Sequence, residues 1–121
     1  MRQFAYGVAV AASVMVAGAA RAETCGPEAL GTHRTMRVSA ADGPVGVFNY
    51  KKSRELADRE VVLTFDDGPM PRRTPAVLDA LGKECVKATF FVVGSMAAAY
   101  PDILQATARA GHTIGTHTWS H

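Results

Sequence analysis

Two adjacent carboxylates, Asp66 and Asp67, follow an apolar run and precede Gly68 and Pro69. Because neighbouring carboxylates repel each other, a bound cation would stabilise the pair by neutralising one of them, and the other would then be available as a base. An ordinary turn with a capping Asp explains the same residues without any chemistry. The Asp pair alone therefore leaves a turn and a metal site as alternatives.

Two histidines four residues apart, His117 and His121, form a second candidate site. If Thr118 begins a helical turn, both imidazoles face the same side and can hold one divalent ion. The pattern is not the HExxH motif of metalloproteases, because Thr118 stands where that motif requires Glu. Such spacing also arises by chance, and Trp119 is of a type that packs more often than it contacts substrate. The His pair alone does not decide between a metal site and coincidence.

Taken together, the two clusters favour metal chemistry. One Asp and two His make a sensible ligand set for a catalytic zinc-like ion that keeps one position open. A second carboxylate beside them is suited to accept a proton from a water molecule activated by that ion. The combination predicts a hydrolase, and the bond that is cut is left open by the spacing.

The apolar residues from position 61 onwards predict the framework that holds these groups. The run at residues 61–65 is β-branched and aromatic without strict alternation, which is typical of a strand buried on both faces of a parallel sheet. A second apolar run at residues 88–93 and a short third run at residues 112–116 are also predicted to be strands. The Asp pair follows the first run and the His pair follows the third. Both pairs are therefore expected at the carboxyl edge of the sheet, where the functional groups of α/β folds collect.

Helical patterns separate the predicted strands. The first helix is expected to have Thr74 as its N-cap and Pro75 at its first position, and to end near Gly82. The second is expected to begin at Pro101 and to be closed by Gly111. The order strand, helix, strand, helix, strand predicts an α/β fold with a parallel sheet or barrel.

The motifs TFDDGP at residues 64–69 and HTWSH at residues 117–121 resemble the first two motifs of the polysaccharide deacetylases. This is carbohydrate esterase family four, which includes nodulation-type chitooligosaccharide deacetylases. The stretches KATFFVVG at residues 87–94 and AGHTIGTHTWSH at residues 110–121 also look like that family. The resemblance covers residues 61–121, about half of the chain. It implies the N-terminal portion of a distorted (β/α) barrel, truncated after about three strands.

The resemblance also implies a role for each matching residue. Asp66 corresponds to the general base, and Asp67, His117 and His121 correspond to the metal ligands. The metal in this family is typically zinc, with cobalt or nickel as other possibilities. The reaction removes acetyl groups from N-acetylglucosamine units of a polysaccharide or oligosaccharide, or from O-acetylated xylan in some members. The implied activity is thus hydrolysis of a non-peptide carbon–nitrogen bond in an acetylated glycan.

Two polar residues near the motifs are expected to be structural. His112 matches no ligand position of the family. Thr118 is expected to support the loop that carries the ligands through its hydroxyl group.

Residues 1–22 have the pattern of a secretory signal peptide. Arg2 supplies a positive start, residues 4–20 carry no charge, and residues 20–22 fit a small-x-small cleavage site. A retained membrane anchor is the alternative, but 17 residues rich in Ala and Gly are at the lower limit for spanning a bilayer. We therefore expect a secreted or periplasmic protein with no stable membrane insertion after cleavage.

The charge of the remaining chain bears on its partners, and its two cysteines bear on a disulfide. Removal of residues 1–22 would leave 99 residues with 11 basic and 11 acidic groups, so no nucleic-acid partner is expected. In an exported chain, Cys25 and Cys85 favour a disulfide, with two buried thiols as the alternative. Residues 23–60 are expected to form a lead-in, followed by a partial catalytic domain at residues 61–121.

Later motifs of the family supply an arginine that orients the base, part of the oxyanion site and a histidine that acts as general acid. None of them can be assigned within residues 1–121. We therefore expect a fragment of a secreted deacetylase that is marginally folded and nearly inactive as this polypeptide. The alternative is an exported, non-catalytic module that binds a metal ion or a glycan. The glycan, the metal and the oligomeric state stay open at this point.

Overall fold

The computed structural model describes residues 25–39, 41, 43–44, 50 and 55–121. The described part contains three strands and three helices, which are β1 (Thr64–Gly68), α1 (Arg73–Lys83), β2 (Thr89–Val92), α2 (Gly94–Ala99), α3 (Pro101–Arg109) and β3 (Thr113–Thr116). Among these residues, no helix is both long enough and apolar enough to cross a bilayer. The predicted signal peptide, residues 1–22, lies outside the described residues and stays a prediction.

The strands form one parallel sheet in the order β1-β2-β3, as the predicted α/β class requires. In the register of the sheet, Thr64 pairs with Thr89, and Thr89 pairs with Thr113. Parallel strands end at the same edge, so the residues after β1 and β3 lie on the same side of the molecule. Helix α2 was not predicted, because its sequence, GSMAAA, is too short to show a helical stripe.

Strand β1 begins later than the predicted strand at residues 61–65. Residues 61–63 precede it, and their side chains are exposed, with Val61 at 75%. Val61, Val62 and Leu63 line a cavity beside the lead-in, so their side chains are accessible to solvent there. The prediction of a strand buried on both faces was therefore wrong for this segment. The alternative of an ordinary turn at Asp66 and Asp67 was also wrong, because β1 continues through both residues with a bulge.

Helix α1 begins at Arg73, and its N-cap is Arg72, so the predicted N-cap Thr74 was wrong. Thr74 is buried in the first turn, where its Oγ1 accepts the backbone N–H of Met70 at 2.8 Å. The hydroxyl therefore satisfies the loop before the helix rather than the free amides of the helix itself. The helix ends at Lys83, one residue beyond the predicted end.

Helix α3 confirms its predicted boundaries. It begins at Pro101, whose missing N–H is no loss in a first turn. Gly111 follows its end with a φ of +79°, a left-handed conformation that favours glycine, and its N–H donates to the Ala108 carbonyl at 2.9 Å.

The core lies between the sheet and the helices. Its buried centre consists of Leu81, Ala88, Phe90 and Val92. Phe65 of β1 stacks on Phe90 of β2 with ring centroids 5.1 Å apart, and Leu104 of α3 packs against the same cluster. This packing fixes the relative positions of β1 and β2, and so the positions of the groups at their ends.

Residues 25–39 attach to the chain near the amino ends of β2 and β3. Cys25 and Cys85 form a disulfide, which confirms the favoured alternative and rules out two free thiols. The Gly31 N–H donates to the Glu84 carbonyl at 2.8 Å, next to this bridge. The lead-in is therefore fastened to the loop between α1 and β2.

An ion pair joins two parts of the lead-in to each other. The Arg34 guanidinium contacts the Glu60 carboxylate at 2.5 Å, and Glu60 also accepts the Ala57 N–H at 2.7 Å. The Arg34 hydrogen bond, followed by the Ala57 one, holds the pKa of the Glu60 carboxyl below its usual value. Both side chains are solvent-accessible, so the pair orders the chain more than it stabilises the fold.

Candidate metal centre

A bulge in β1 sets the direction of the Asp67 carboxylate. Asp66 pairs with Phe91 and Gly68 pairs with Val92, so Asp67 is an extra residue opposite β2. Its φ of 68° lies in the left-handed region, which Asp reaches more often than most residues other than glycine. Successive side chains of a regular strand point to opposite faces, and a bulge interrupts that alternation. The bulge therefore re-aims Asp67 at the end of the strand.

The two histidines lie on a loop of residues 117–121, which we call the ligand loop. The His117 N–H donates to the Val92 carbonyl at 2.9 Å, which continues the pairing of β3 with β2. Thr118 then has a φ of 60°, so the helical turn considered for residues 118–121 does not form. Its Oγ1 accepts the His121 N–H at 2.9 Å, and this confirms that the Thr118 hydroxyl supports the loop.

The side chains of Asp67, His117 and His121 converge. Asp67 Oδ1 lies 3.3 Å from His117 Nε2 and 3.3 Å from His121 Nε2. The two imidazole centroids are 5.2 Å apart, and one ligand atom from each of the three residues lies within 4.8 Å of the others. A tetrahedral ion with bonds of about 2.0–2.1 Å keeps its ligand atoms about 3.3–3.4 Å apart. Two of the three separations match that value, so the residues fit such an ion.

Exposure differs among the four predicted site residues. The side chains of His117, Asp67 and His121 are 32%, 50% and 64% exposed, which leaves room for a further ligand. Asp66 precedes the bulge in β1 and is also exposed. The structure thus brings together the three predicted ligands, and the role of Asp66 as a base stays a prediction.

Sequence reasoning missed the contribution of α2 to the ligand loop. The Gly94 N–H donates to the Thr118 carbonyl at 3.0 Å, and the Ser95 N–H donates to the Trp119 carbonyl at 2.9 Å. The start of α2 therefore holds the ligand loop between its two histidines. The only signal in the sequence was a glycine directly after a buried strand.

His112 lies outside the centre, as expected for a structural residue. It precedes β3, is 8% exposed, and its Nδ1 accepts the Ala88 N–H at 3.2 Å. Its ring meets Phe90 edge-on with centroids 5.2 Å apart. Burial lowers the pKa of His112, and the positive charge of Lys87 lowers it further. His112 is therefore a neutral acceptor in the core.

A cavity of 610 Å³ lies at the other end of the sheet, between the lead-in and the residues before β1. Its walls include Leu30, Met36, Leu63 and Ala88. It contains none of the four predicted site residues, and so it is separate from the candidate metal centre.

Residues 53–121, more than half of the chain, match the family model of polysaccharide deacetylases. The chain belongs to the polysaccharide deacetylase family. It is 53% identical over 74 residues to a peptidoglycan-N-acetylglucosamine deacetylase of Bacillus cereus. The matched segment covers 61% of this chain and 27% of the relative. It is 45% identical over 64 residues to a chitooligosaccharide deacetylase of Rhizobium leguminosarum bv. trifolii, which covers 53% of this chain and 30% of that relative.

A solved polysaccharide deacetylase has the same local fold. The crystal structure of a peptidoglycan N-acetylglucosamine deacetylase matches with a TM-score of 0.51 and 53% identity, over 51% of this chain and 29% of that one. The parallel three-stranded sheet is thus part of a deacetylase fold, which confirms the predicted fold class. The chain spans less than a third of the length of each of these relatives.

Proposed function

We propose that this chain supplies the metal ligands and the general base of a hydrolase that removes acetyl groups from a glycan containing N-acetylglucosamine. The observation that carries the proposal is the 3.3 Å separation of Asp67 Oδ1 from the Nε2 atoms of both His117 and His121. The names of the relatives, deacetylases of peptidoglycan and of chitooligosaccharides, support the substrate class.

Asp67, His117 and His121 would hold a divalent ion, and zinc is the metal we propose. One carboxylate with two imidazoles is a donor set that suits zinc, and that cobalt and nickel also accept. When bound, such an ion polarises the acetyl carbonyl and lowers the pKa of a water molecule. The exposure of all three side chains leaves access for that carbonyl.

Asp66 would act as the general base. Its α-carbon is about 3.8 Å from that of Asp67, because the two residues are consecutive. Its carboxylate takes a proton from the water whose oxygen bonds to the acetyl carbon. The carbon–nitrogen bond then breaks, and the nitrogen takes up a proton from the general acid or from solvent, giving acetate and the amine of the sugar. The bulge at Asp67 separates the two roles, since it directs the second carboxylate alone to the histidines.

We also propose that the protein works outside the cytoplasm, in a secreted or periplasmic form. The Cys25–Cys85 disulfide supports this location, because disulfides form and persist in oxidising compartments. The signal-peptide pattern of residues 1–22 points the same way.

Metal binding is tested by titrating the chain with Co²⁺ and following its d–d absorption. We expect one equivalent to bind. Asp67→Asn should weaken binding by more than roughly 10- to 100-fold, which is the typical loss when a residue that only hydrogen-bonds to a metal ligand is removed. Asp66→Asn is the matched control, because it removes the neighbouring carboxylate and should leave Co²⁺ affinity nearly unchanged. Equal losses in the two variants would contradict the separate roles of the carboxylates.

Catalysis is tested in a chimera, in which residues 61–121 replace the matching segment of the Bacillus cereus relative. The measurement is acetate release from an N-acetylglucosamine oligomer with added zinc. We expect the chimera to turn over, and Asp66→Asn to stop turnover while Co²⁺ still binds. Full activity of that variant would show that Asp66 is not the base. Metal binding without turnover of any acetylated glycan would instead favour a non-catalytic binding module.

A further inference from the structure

The ligand loop is held from outside by the start of α2. The backbone N–H groups of Gly94 and Ser95 donate hydrogen bonds to the carbonyls of Thr118 and Trp119. Both carbonyls lie between the two histidines. A shift of α2 relative to the sheet would therefore displace the loop at its middle. These two backbone hydrogen bonds hold the middle of the ligand loop against the start of α2. The side chain of Trp119 makes a further contact there.

The indole of Trp119 lies directly against Gly94. A Cβ added at Gly94 would overlap Trp119 Cε3 and would lie only 3.0 Å from Cζ3 and 3.3 Å from Cδ2. Cβ atoms essentially never come as close to another atom as this one would to Cε3, and the other two distances are tighter than most Cβ contacts. The Trp119 ring can occupy this position only because residue 94 has no side chain, although 68% of Trp119 stays exposed.

The conformation of the ligand loop requires such support. Thr118 and His121 have φ values of 60° and 68°, in the left-handed region that residues with a Cβ rarely adopt. Conformations of this kind persist where the surroundings determine them from several sides. Within the described residues, the contacts of α2 with Thr118 and Trp119 are such a constraint, and they act next to both histidines.

We propose that Gly94 is a positioning residue for the metal centre. By leaving room for the Trp119 ring, it keeps the ligand loop in the conformation in which both imidazoles reach Asp67. The inference rests on the metal site proposed above and adds a residue that does not itself touch the ion.

Gly94→Ala is the decisive substitution. The φ of Gly94 lies outside the left-handed region, so alanine can adopt the same backbone there. Alanine also has the higher helix propensity, so on intrinsic grounds the change favours α2. Loss of Co²⁺ affinity in this variant therefore reports the contact with Trp119. We expect the affinity of the 121-residue chain to fall about 10- to 100-fold, as for other residues that orient metal ligands.

A second substitution separates the contact from a general effect on folding. Trp119→Ala removes the ring that the new methyl group would strike. In that background, Gly94→Ala should change Co²⁺ affinity by less than about threefold, because the new methyl group no longer meets a ring. The effects of the two substitutions should therefore not add, as expected for residues in contact. Gly26→Ala is the matched control, since a Cβ at Gly26 meets nothing within 4 Å.

Two readouts accompany the affinities. Far-UV circular dichroism shows whether each variant keeps its helices. Trp119 is the only tryptophan of the chain, so its fluorescence reports the ring position directly. A changed emission with wild-type Co²⁺ affinity in Gly94→Ala would overturn the proposal, because the ring would then move without the ligands.

A loss of affinity that persists when Trp119 is absent would also overturn it, since the contact could not be the cause. Failure of the wild-type chain to bind Co²⁺ would overturn the proposed metal site and this inference with it. Binding by the wild type, lost in Asp67→Asn and kept in Gly94→Ala, would overturn the positioning role alone. The two failures are therefore distinguishable.

Discussion

Substitution of His112 tests the framework on which the metal centre depends. The residue lies at the amino end of β3 and accepts the Ala88 N–H through Nδ1, just before β2. It therefore joins two of the three strands from within the core. His112→Ala removes the acceptor and the ring, whereas His112→Asn keeps an acceptor close to the position of Nδ1.

The magnitude follows from the contacts that are lost. A buried amide left without its partner costs about 1–3 kcal/mol. The edge-on contact with Phe90, at a centroid distance of 5.2 Å, adds about 0.5–1.5 kcal/mol. His112→Ala is thus expected to lower the free energy of unfolding by about 2–4 kcal/mol, a large part of the roughly 5–15 kcal/mol of a typical domain. His112→Asn should recover the part of the unfolding free energy that comes from the hydrogen bond of the Ala88 N–H.

The stability of the wild type should also depend on pH through this residue. Burial, and then the charge of Lys87, lower the pKa of His112 in the folded chain. As the pH falls, the unfolded chain therefore binds the proton first, at its ordinary pKa of about 6.5. The contribution of the neutral histidine is complete above that value, and it is lost as the pH falls from there through the folded pKa.

Urea unfolding followed by far-UV circular dichroism, between about pH 8 and pH 5, measures both effects. The difference in unfolding free energy between the wild type and His112→Asn should shift against the wild type as the pH falls, because asparagine does not titrate there. His33→Asn, at an exposed histidine of the lead-in, controls for the loss of one imidazole. A difference that stays constant with pH, or a His112→Ala variant as stable as the wild type, would show that His112 does not hold the two strands together as a neutral acceptor.

Two further predictions concern the bridge and the ligand loop. Replacing Cys25 and Cys85 by serine, with a sequence separation of 60, should lower the free energy of unfolding by about 4 kcal/mol in the loop-entropy model, as measured by urea unfolding; an unchanged urea midpoint would count against it. Thr118→Val, which loses the acceptor of the His121 N–H, should weaken Co²⁺ binding by about tenfold or more, whereas Thr118→Ser should not. Equal affinities in these two variants would show that the hydroxyl does not support the loop.

The sheet and two of its helices could be predicted because their signals are local. The apolar run around Phe90 indicates β2, and Pro101 and Gly111 mark the two ends of α3. Each signal lies within the element or directly beside it. Thr74 shows where such signals fail. Its hydroxyl could cap the helix or satisfy the preceding loop, and the choice depends on how the chain leaves β1.

The candidate site was predictable as a set of residue types and not as a geometry. One Asp with two His was predicted from the combination of the two clusters, the family resemblance singled out Asp67 as that Asp, and the structure brings the three side chains together. The left-handed conformations of Asp67 and Thr118 were not predictable, because residues with a Cβ adopt them only when tertiary contacts require it. For Asp67 that requirement is the register with β2, and for Thr118 it includes the amide of Gly94.

The position of β2 explains why the metal centre and Gly94 are linked. Asp67 belongs to β1 and His117 follows β3, and these strands are separated by β2, so their backbones are about 9.6 Å apart at the usual strand spacing of about 4.8 Å. Yet Asp67 Oδ1 and His117 Nε2 are 3.3 Å apart. Their side chains must therefore meet across the end of the central strand, which is possible because β2 ends at Val92 and the chain turns into α2. The first residue of that helix lies beside the ligand loop, so a side chain at Gly94 would act on His121 through Trp119.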